Sequence, residues 1–88
     1  MASNAGTAIV AAIRAAIDVR DADTLCNEAH ALKGAASNLS AVSLFETAEI
    51  LEQLGRDHRF DAADAACRRL ADEAAHVLDT LRRSEAAA

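Results

Sequence analysis

The chain has 88 residues, enough for one domain with a single modest core. It has no proline, three glycines and only 2 % aromatic residues, which predicts an all-α fold and excludes most β-sandwiches and β-barrels. A net charge of −5 argues against binding to nucleic acid or to an anionic membrane surface. Two cysteines cannot form a disulfide framework, so we expect free thiols in a cytoplasmic protein. We expect no signal peptide, because the N-terminus lacks a basic segment followed by a long apolar one. We expect no membrane span, because no apolar run approaches about 20 residues.

The first predicted helix covers residues 4–19, where apolar residues recur at steps of four, three and one. These residues are Ile9, Ile13, Ala16 and Ile17. Asp21 or Asp23 is expected to cap the second helix, predicted over residues 22–39. Its apolar residues alternate at steps of four and three, as in a helix that buries one narrow face: Leu25, Ala29, Leu32, Ala36 and Leu39.

A capping box of Ser43 and Glu46 predicts the third helix over residues 44–55, with Gly55 as its C-terminal stop. Its apolar stripe consists of Leu44, Thr47, Ala48, Leu51 and Leu54.

Asp61 is expected to cap the fourth helix, over residues 62–83, and residues 84–88 are expected to fray. The inward residues of this helix are Ala63, Ala66, Leu70, Ala74, Val77 and Leu81. Because the connections are short, the four helices predict a single domain over residues 1–88, an up-down-up-down antiparallel four-helix bundle.

A polar face of the second helix carries the first functional signal. On a helical wheel with about 100° per residue, His30, Lys33, Gly34 and Ser37 lie together, away from the Leu25 stripe. Glycine costs a helix interior about 1 kcal/mol relative to alanine, so Gly34 indicates space for a large ligand beside the imidazole. Neutral imidazole is an available nucleophile at pH 7, and the lysine favours an anion. The face therefore predicts a phosphoryl acceptor.

A carboxylate lies at the same level of the next helix. If the hairpin turns near residues 41 and 42, His30 on the second helix stands opposite Glu52 on the third. On the wheel, Glu52 falls off the Leu44 stripe. An acceptor there would hold Nδ1–H of the imidazole and leave Nε2 free to attack phosphorus.

The segment "AHALKGAASNLSAVSL", residues 29–44, resembles the active-site helix of histidine-containing phosphotransfer (HPt) domains. The resemblance implies that His30 is phosphorylated, that Lys33 is its electrostatic helper and that Gly34 gives clearance for a receiver domain. The family often has a glutamine or glutamate 22 residues after the histidine, and here that position is Glu52.

The surface around the histidine is the expected docking face. Ser37 and Ala31 are small residues that permit close approach, whereas Phe45 either packs under the first helix or joins this docking patch. The family usually has glycine where this chain has Ser40, a difference expected to alter the hairpin turn and not the chemistry.

The resemblance implies a histidine phosphocarrier in a two-component phosphorelay. It would exchange phosphoryl groups with the aspartate of receiver domains, in response regulators or in hybrid histidine kinases. The chain has no nucleotide-binding motif, so we expect neither ATP binding nor autokinase activity. No cofactor is expected on the carrier, since the receiver supplies Mg²⁺, and we expect a monomer.

Two other functions fit parts of the pattern. One is a helical protein-interaction module without phosphotransfer. The other is a metal-binding bundle, because Cys26 and His30 are four residues apart on one face. A structural zinc site needs four ligands, and Cys67 and His76 point to opposite sides of their helix, so no metal is expected. His58 is an ordinary surface residue in this interpretation, as is His76.

Overall fold

The computed structural model describes residues 4–38 and 41–87, with side chains over residues 8–38 and 41–83. In these ranges it has four α-helices and no strand, so the all-α prediction is confirmed. The helices are α1 (Asn4–Asp18), α2 (Ala22–Asn38), α3 (Val42–Arg56) and α4 (Phe60–Ala87). Each helix packs against the next, and α1 also packs against α4. Three residues separate each helix from the next, which is consistent with the expected up-down-up-down bundle of antiparallel neighbours.

The core lies where the apolar stripes of the four helices meet. Ile13, Leu25, Leu51 and Leu70 are fully buried, one from each helix. The predicted stripe of α4 is not buried along its whole length, because Leu81 is 42 % exposed. Length explains this: α4 has 28 residues, whereas α1 and α3 have 15 each and are too short to cover the whole of it. Leu39, predicted in the stripe of α2, is outside the described residues, and so is Ser40.

Helix α2 begins with a side-chain cap. Asp21 Oδ1 accepts a hydrogen bond from the Thr24 backbone N–H at 3.1 Å, and its Oδ2 accepts one from Thr24 Oγ1 at 2.6 Å. These bonds lower the pKa of the Asp21 carboxyl group. The cap fixes where α2 begins, and therefore which of its residues face the core.

The predicted signals at the ends of α3 are wrong. The helix begins at Val42 with Ala41 as its cap residue, without a side-chain hydrogen bond, so Ser43 and Glu46 form no capping box. The Phe45 N–H already bonds to the Ala41 carbonyl oxygen, which starts the helix before Ser43. Gly55 does not stop the helix either. It is buried inside the last turn, and the left-handed residue is His58, with φ 56°.

Helix α4 is longer than its predicted bounds at both ends. It begins at Phe60, which is buried in the core, so Asp61 lies inside the first turn and is not the cap residue. There its carboxylate is favourable beside the N-terminal end of the helix dipole. At the other end the helix continues to Ala87, where we expected a frayed tail after Arg83. Its last residues include alanines and no helix breaker, which explains the extension.

Candidate functional site

The helical hairpin of α2 and α3 brings the predicted histidine and carboxylate together. Because the stripe from Leu25 to Ala36 faces the core, His30 lies on the outer side of α2, with 70 % of its side chain exposed. Glu52 approaches it from α3 with a side chain only 8 % exposed. The distance from His30 Nδ1 to Glu52 Oε2 is 3.3 Å. A buried carboxylate thus lies beside one nitrogen of an exposed imidazole.

Two cations compensate the charge of Glu52. Lys33 Nζ donates a hydrogen bond to Oε1 at 2.9 Å, and Arg56 Nη2 donates one to Oε2 at 3.0 Å. The hydrogen bond from Lys33 is the main cause of a lowered pKa of the Glu52 carboxyl group, and it outweighs the opposing effect of burial. The charges of Arg56 and His30 lower this pKa further. Glu52 is therefore ionised at neutral pH, and its carboxylate can accept a hydrogen bond from the Nδ1–H group of the imidazole.

Lys33 lies between Glu52 and Phe45. Its side chain is 23 % exposed, and Nζ lies 6.0 Å from the centroid of the Phe45 ring. The lysine is therefore held by the carboxylate, whereas the sequence suggested a cation offered directly to an incoming anion. Phe45 is half-buried and packs against the core, with one side toward Lys33.

The small residues of α2 around the histidine face solvent. Ala31, Gly34 and Ser37 are all exposed. A Cβ atom added at Gly34 would meet no atom within 4 Å, so the absent side chain leaves open space beside the imidazole.

The other two histidines lie outside the site, whereas Cys26 touches its backbone. His58 lies in the α3–α4 turn with its ring edge toward Phe60, and His76 is exposed on α4. Cys26 is a free thiol whose Sγ donates to the Glu52 carbonyl oxygen at 3.5 Å. Over the described ranges, no three His, Cys, Asp or Glu side chains converge to hold a metal ion.

Sequence reasoning missed two features of this site. Arg56 was not identified, although it follows Glu52 by four residues, the spacing at which a glutamate and an arginine meet on one helix face. The burial of Glu52 was also missed, because the wheel places it off the Leu44 stripe. The residue is buried by α2, a contact that no single-helix pattern contains.

Comparison with known proteins gives the family. The model of the Hpt domain family matches residues 4–83, nearly the whole chain. No curated protein and no solved structure was found to match this chain. The chain belongs to the Hpt domain family. Domains of this family take part in histidine phosphotransfer in phosphorelays, as carriers that interact with receiver domains and kinases and do not bind ATP themselves.

Over residues 4–38 and 41–87, no helix is both long enough and apolar enough to cross a bilayer.

Proposed function

We propose that this chain is a histidine phosphocarrier in a two-component phosphorelay, and that His30 exchanges a phosphoryl group with the aspartate of receiver domains. The observation that carries the proposal is the pairing of an exposed imidazole with the buried carboxylate of Glu52, 3.3 Å from Nδ1. Membership in the Hpt domain family supports this class of reaction.

The transfer is a displacement at phosphorus. The lone pair of His30 Nε2 attacks the phosphorus of an aspartyl phosphate on the receiver. The new N–P bond forms as the P–O bond to the aspartate breaks, and the aspartate leaves as a carboxylate with that electron pair. The imidazole keeps its Nδ1 proton and gains positive charge, which the adjacent carboxylate of Glu52 stabilises. The reverse step delivers the phosphoryl group to a second receiver.

The other residues of the site have supporting roles. Lys33 holds Glu52 in place, and its charge partly offsets that of the arriving phosphoryl group. Gly34 gives the receiver clearance beside the imidazole. Ala31 and Ser37 extend the exposed docking surface, and Phe45 forms its half-buried edge.

The partners follow from this chemistry. They are receiver domains, in response regulators or in hybrid histidine kinases, and the receiver brings the Mg²⁺ that neutralises charge on the phosphoryl oxygens. The carrier itself uses no cofactor and does not phosphorylate itself from ATP. We expect it to act as a monomer, because one chain supplies all the residues of the site. Free cysteines fit a reducing cytoplasm.

The experiment is phosphoryl transfer from labelled receiver domains. The wild-type chain and His30→Gln are each incubated with a panel of phosphorylated receivers and Mg²⁺. The wild type should take up an acid-labile, alkali-stable label, as an N–P bond requires, and His30→Gln should take up none. Its helical content should be unchanged, because the His30 side chain is exposed and its removal leaves no cavity.

Two controls decide between the alternatives. His58→Gln should be labelled like the wild type, and incubation with labelled ATP alone should leave every variant unlabelled. Label on His30→Gln would remove His30 from the reaction. A wild-type chain that binds receivers and is never labelled would be an interaction module without phosphotransfer.

A further inference from the structure

A tight contact joins α2 and α3 one helical turn from the candidate site. Cys26 precedes His30 by four residues on α2, and Gly55 follows Glu52 by three residues on α3. In an antiparallel hairpin these offsets place both residues on the same side of the histidine–glutamate pair. The Cys26–Gly55 contact and the site therefore occupy successive levels of one helix interface.

The contact has no room for another atom. Gly55 is buried, and a Cβ atom added there would lie 2.8 Å from Cys26 Sγ and 3.2 Å from Leu25 Cγ. Among the glycines of the hairpin this is a sharp difference, since a Cβ at Gly34 meets nothing within 4 Å. The glycine at position 55 is thus required by the closeness of the helices.

The sulfur atom in this contact also touches the backbone of the site. Cys26 Sγ lies 3.5 Å from the carbonyl oxygen of Glu52, to which it donates a hydrogen bond. Burial raises the pKa of this thiol, so the group is present as the S–H donor. One side chain of α2 therefore packs on Gly55 and bonds to the residue whose carboxylate faces His30.

We propose that Cys26 and Gly55 are positioning residues, which set the separation of α2 and α3 and so hold Glu52 within reach of His30 Nδ1. The inference rests on the function proposed above for that pair. The distance between packed helices depends on the side chains at their contact, and protein interiors do not absorb an extra methyl group by compression. A methyl group at position 55 must displace Cys26 Sγ and the Leu25 side chain or the helices themselves, and such a shift changes the 3.3 Å approach of Glu52 to His30.

The test changes the size of the side chains on the two sides of the contact. Gly55→Ala adds a methyl group, Cys26→Ala removes the sulfur, and the double variant does both. Two properties are measured: the rate of phosphoryl transfer from a labelled receiver, and the ¹⁵N and ¹H shifts of the His30 ring, which report its tautomer. Gly55→Ala should displace the His30 signals and slow transfer by roughly tenfold, since misplacement by about 1 Å can cost up to ~100-fold. The double variant should recover part of the transfer rate and of the His30 shifts, because it removes the 2.8 Å contact with Sγ and keeps the 3.2 Å contact with Leu25 Cγ.

Controls separate positioning from general loss of packing. The signals of His76 should stay at their wild-type positions in every variant, because His76 is exposed on α4 and the contact joins α2 and α3. Cys67→Ala removes a buried sulfur from α4, so it should lower thermal stability without moving the His30 signals.

Each outcome has a fixed meaning. Gly55→Ala that folds with unmoved His30 signals and wild-type transfer overturns the proposal. If Gly55→Ala does not fold, Cys26→Ala decides: displaced His30 signals in a folded protein support the proposal, and signals at their wild-type positions reject it. If no receiver ever labels the wild type, the proposed function fails, while the ring signals still show whether the contact positions the pair.

Discussion

The two faces of α2 differ in what they demand of their residues. The inner face is buried in the core and consists of Leu25, Ala29, Leu32 and Ala36. The outer face leaves His30 and Gly34 exposed, and neither contributes to the core. The residues that stabilise the fold and the residues proposed to take part in transfer therefore lie on opposite sides of α2. A substitution on one side should leave the other property nearly unchanged.

Leu32→Ala tests the inner face and should give the largest change in stability. Leu32 is 2 % exposed, so truncation leaves a cavity and should lower the free energy of unfolding by about 2–5 kcal/mol. Transfer per folded molecule should hardly change. Urea denaturation measures the first quantity and the labelled-receiver assay the second. The control is Val19→Ala, because Val19 is 73 % exposed and its loss should cost within about 0.5 kcal/mol.

Gly34→Gln tests the outer face and should separate the two properties in the opposite direction. Glutamine favours helix over glycine, and a Cβ at this position meets no atom, so the free energy of unfolding should rise by up to ~1 kcal/mol. Transfer should fall by roughly tenfold or more, because the new side chain obstructs the approach on which the reaction depends. Loss of stability together with transfer would show that Gly34 is needed for packing.

Lys33 lies at the boundary between the faces, directly after Leu32 in the chain. Lys33→Ala should slow transfer several-fold, because a partly exposed ion pair is worth on the order of 1 kcal/mol. The loss should be greatest at low ionic strength and smaller in high salt. Arg59→Ala is the control, since Arg59 is an exposed cation outside the site. A wild-type rate for Lys33→Ala at low salt would show that this cation does not assist.

The ionisation of Glu52 should make the free energy of unfolding depend on pH. This effect should be smaller than those of the three substitutions above. Its pKa in the folded chain is lowered from an ordinary value of 4.5, chiefly by the hydrogen bond from Lys33. A lowered folded-state pKa contributes stability that is present above the unfolded-state pKa and is lost as the pH falls through the folded-state value. The free energy of unfolding should thus decline below about pH 4.5.

The variant Glu52→Gln isolates this contribution. Its stability should depend less steeply on pH than that of the wild type between pH 5 and pH 3, as measured by chemical denaturation at each pH. Asp21 also has a lowered pKa and adds to the decline in both proteins, so only the difference between their profiles belongs to Glu52. Identical profiles would mean that the interactions of this carboxylate do not stabilise the fold.

Much of the site could be predicted from the period of one helix and from the pairing of positions across a helical hairpin. The positions of His30 and Gly34 outside the core follow from the helical period of one segment. Glu52 could be placed opposite His30 because residues equidistant from the turn of an antiparallel hairpin meet at one level. Neither argument reports how far apart the helices are. The pairing of Lys33 with Glu52 therefore had to be seen in the structure, whereas the space beside Gly34 was expected from the cost of a glycine inside a helix.

The amino-acid sequence by itself determined the all-α class, the apolar stripes of the helices and the face that carries His30, since each depends on residue type and spacing within one segment. Only the tertiary structure decided that Glu52 is buried and that Gly55 packs against Cys26 where a helix stop was expected. It also decided that α3 begins at Val42. These features depend on atoms of another segment or on where packing allows a helix to begin. A glycine at a helix end and a glycine at a helix contact have the same local pattern, and only the neighbouring helix distinguishes them.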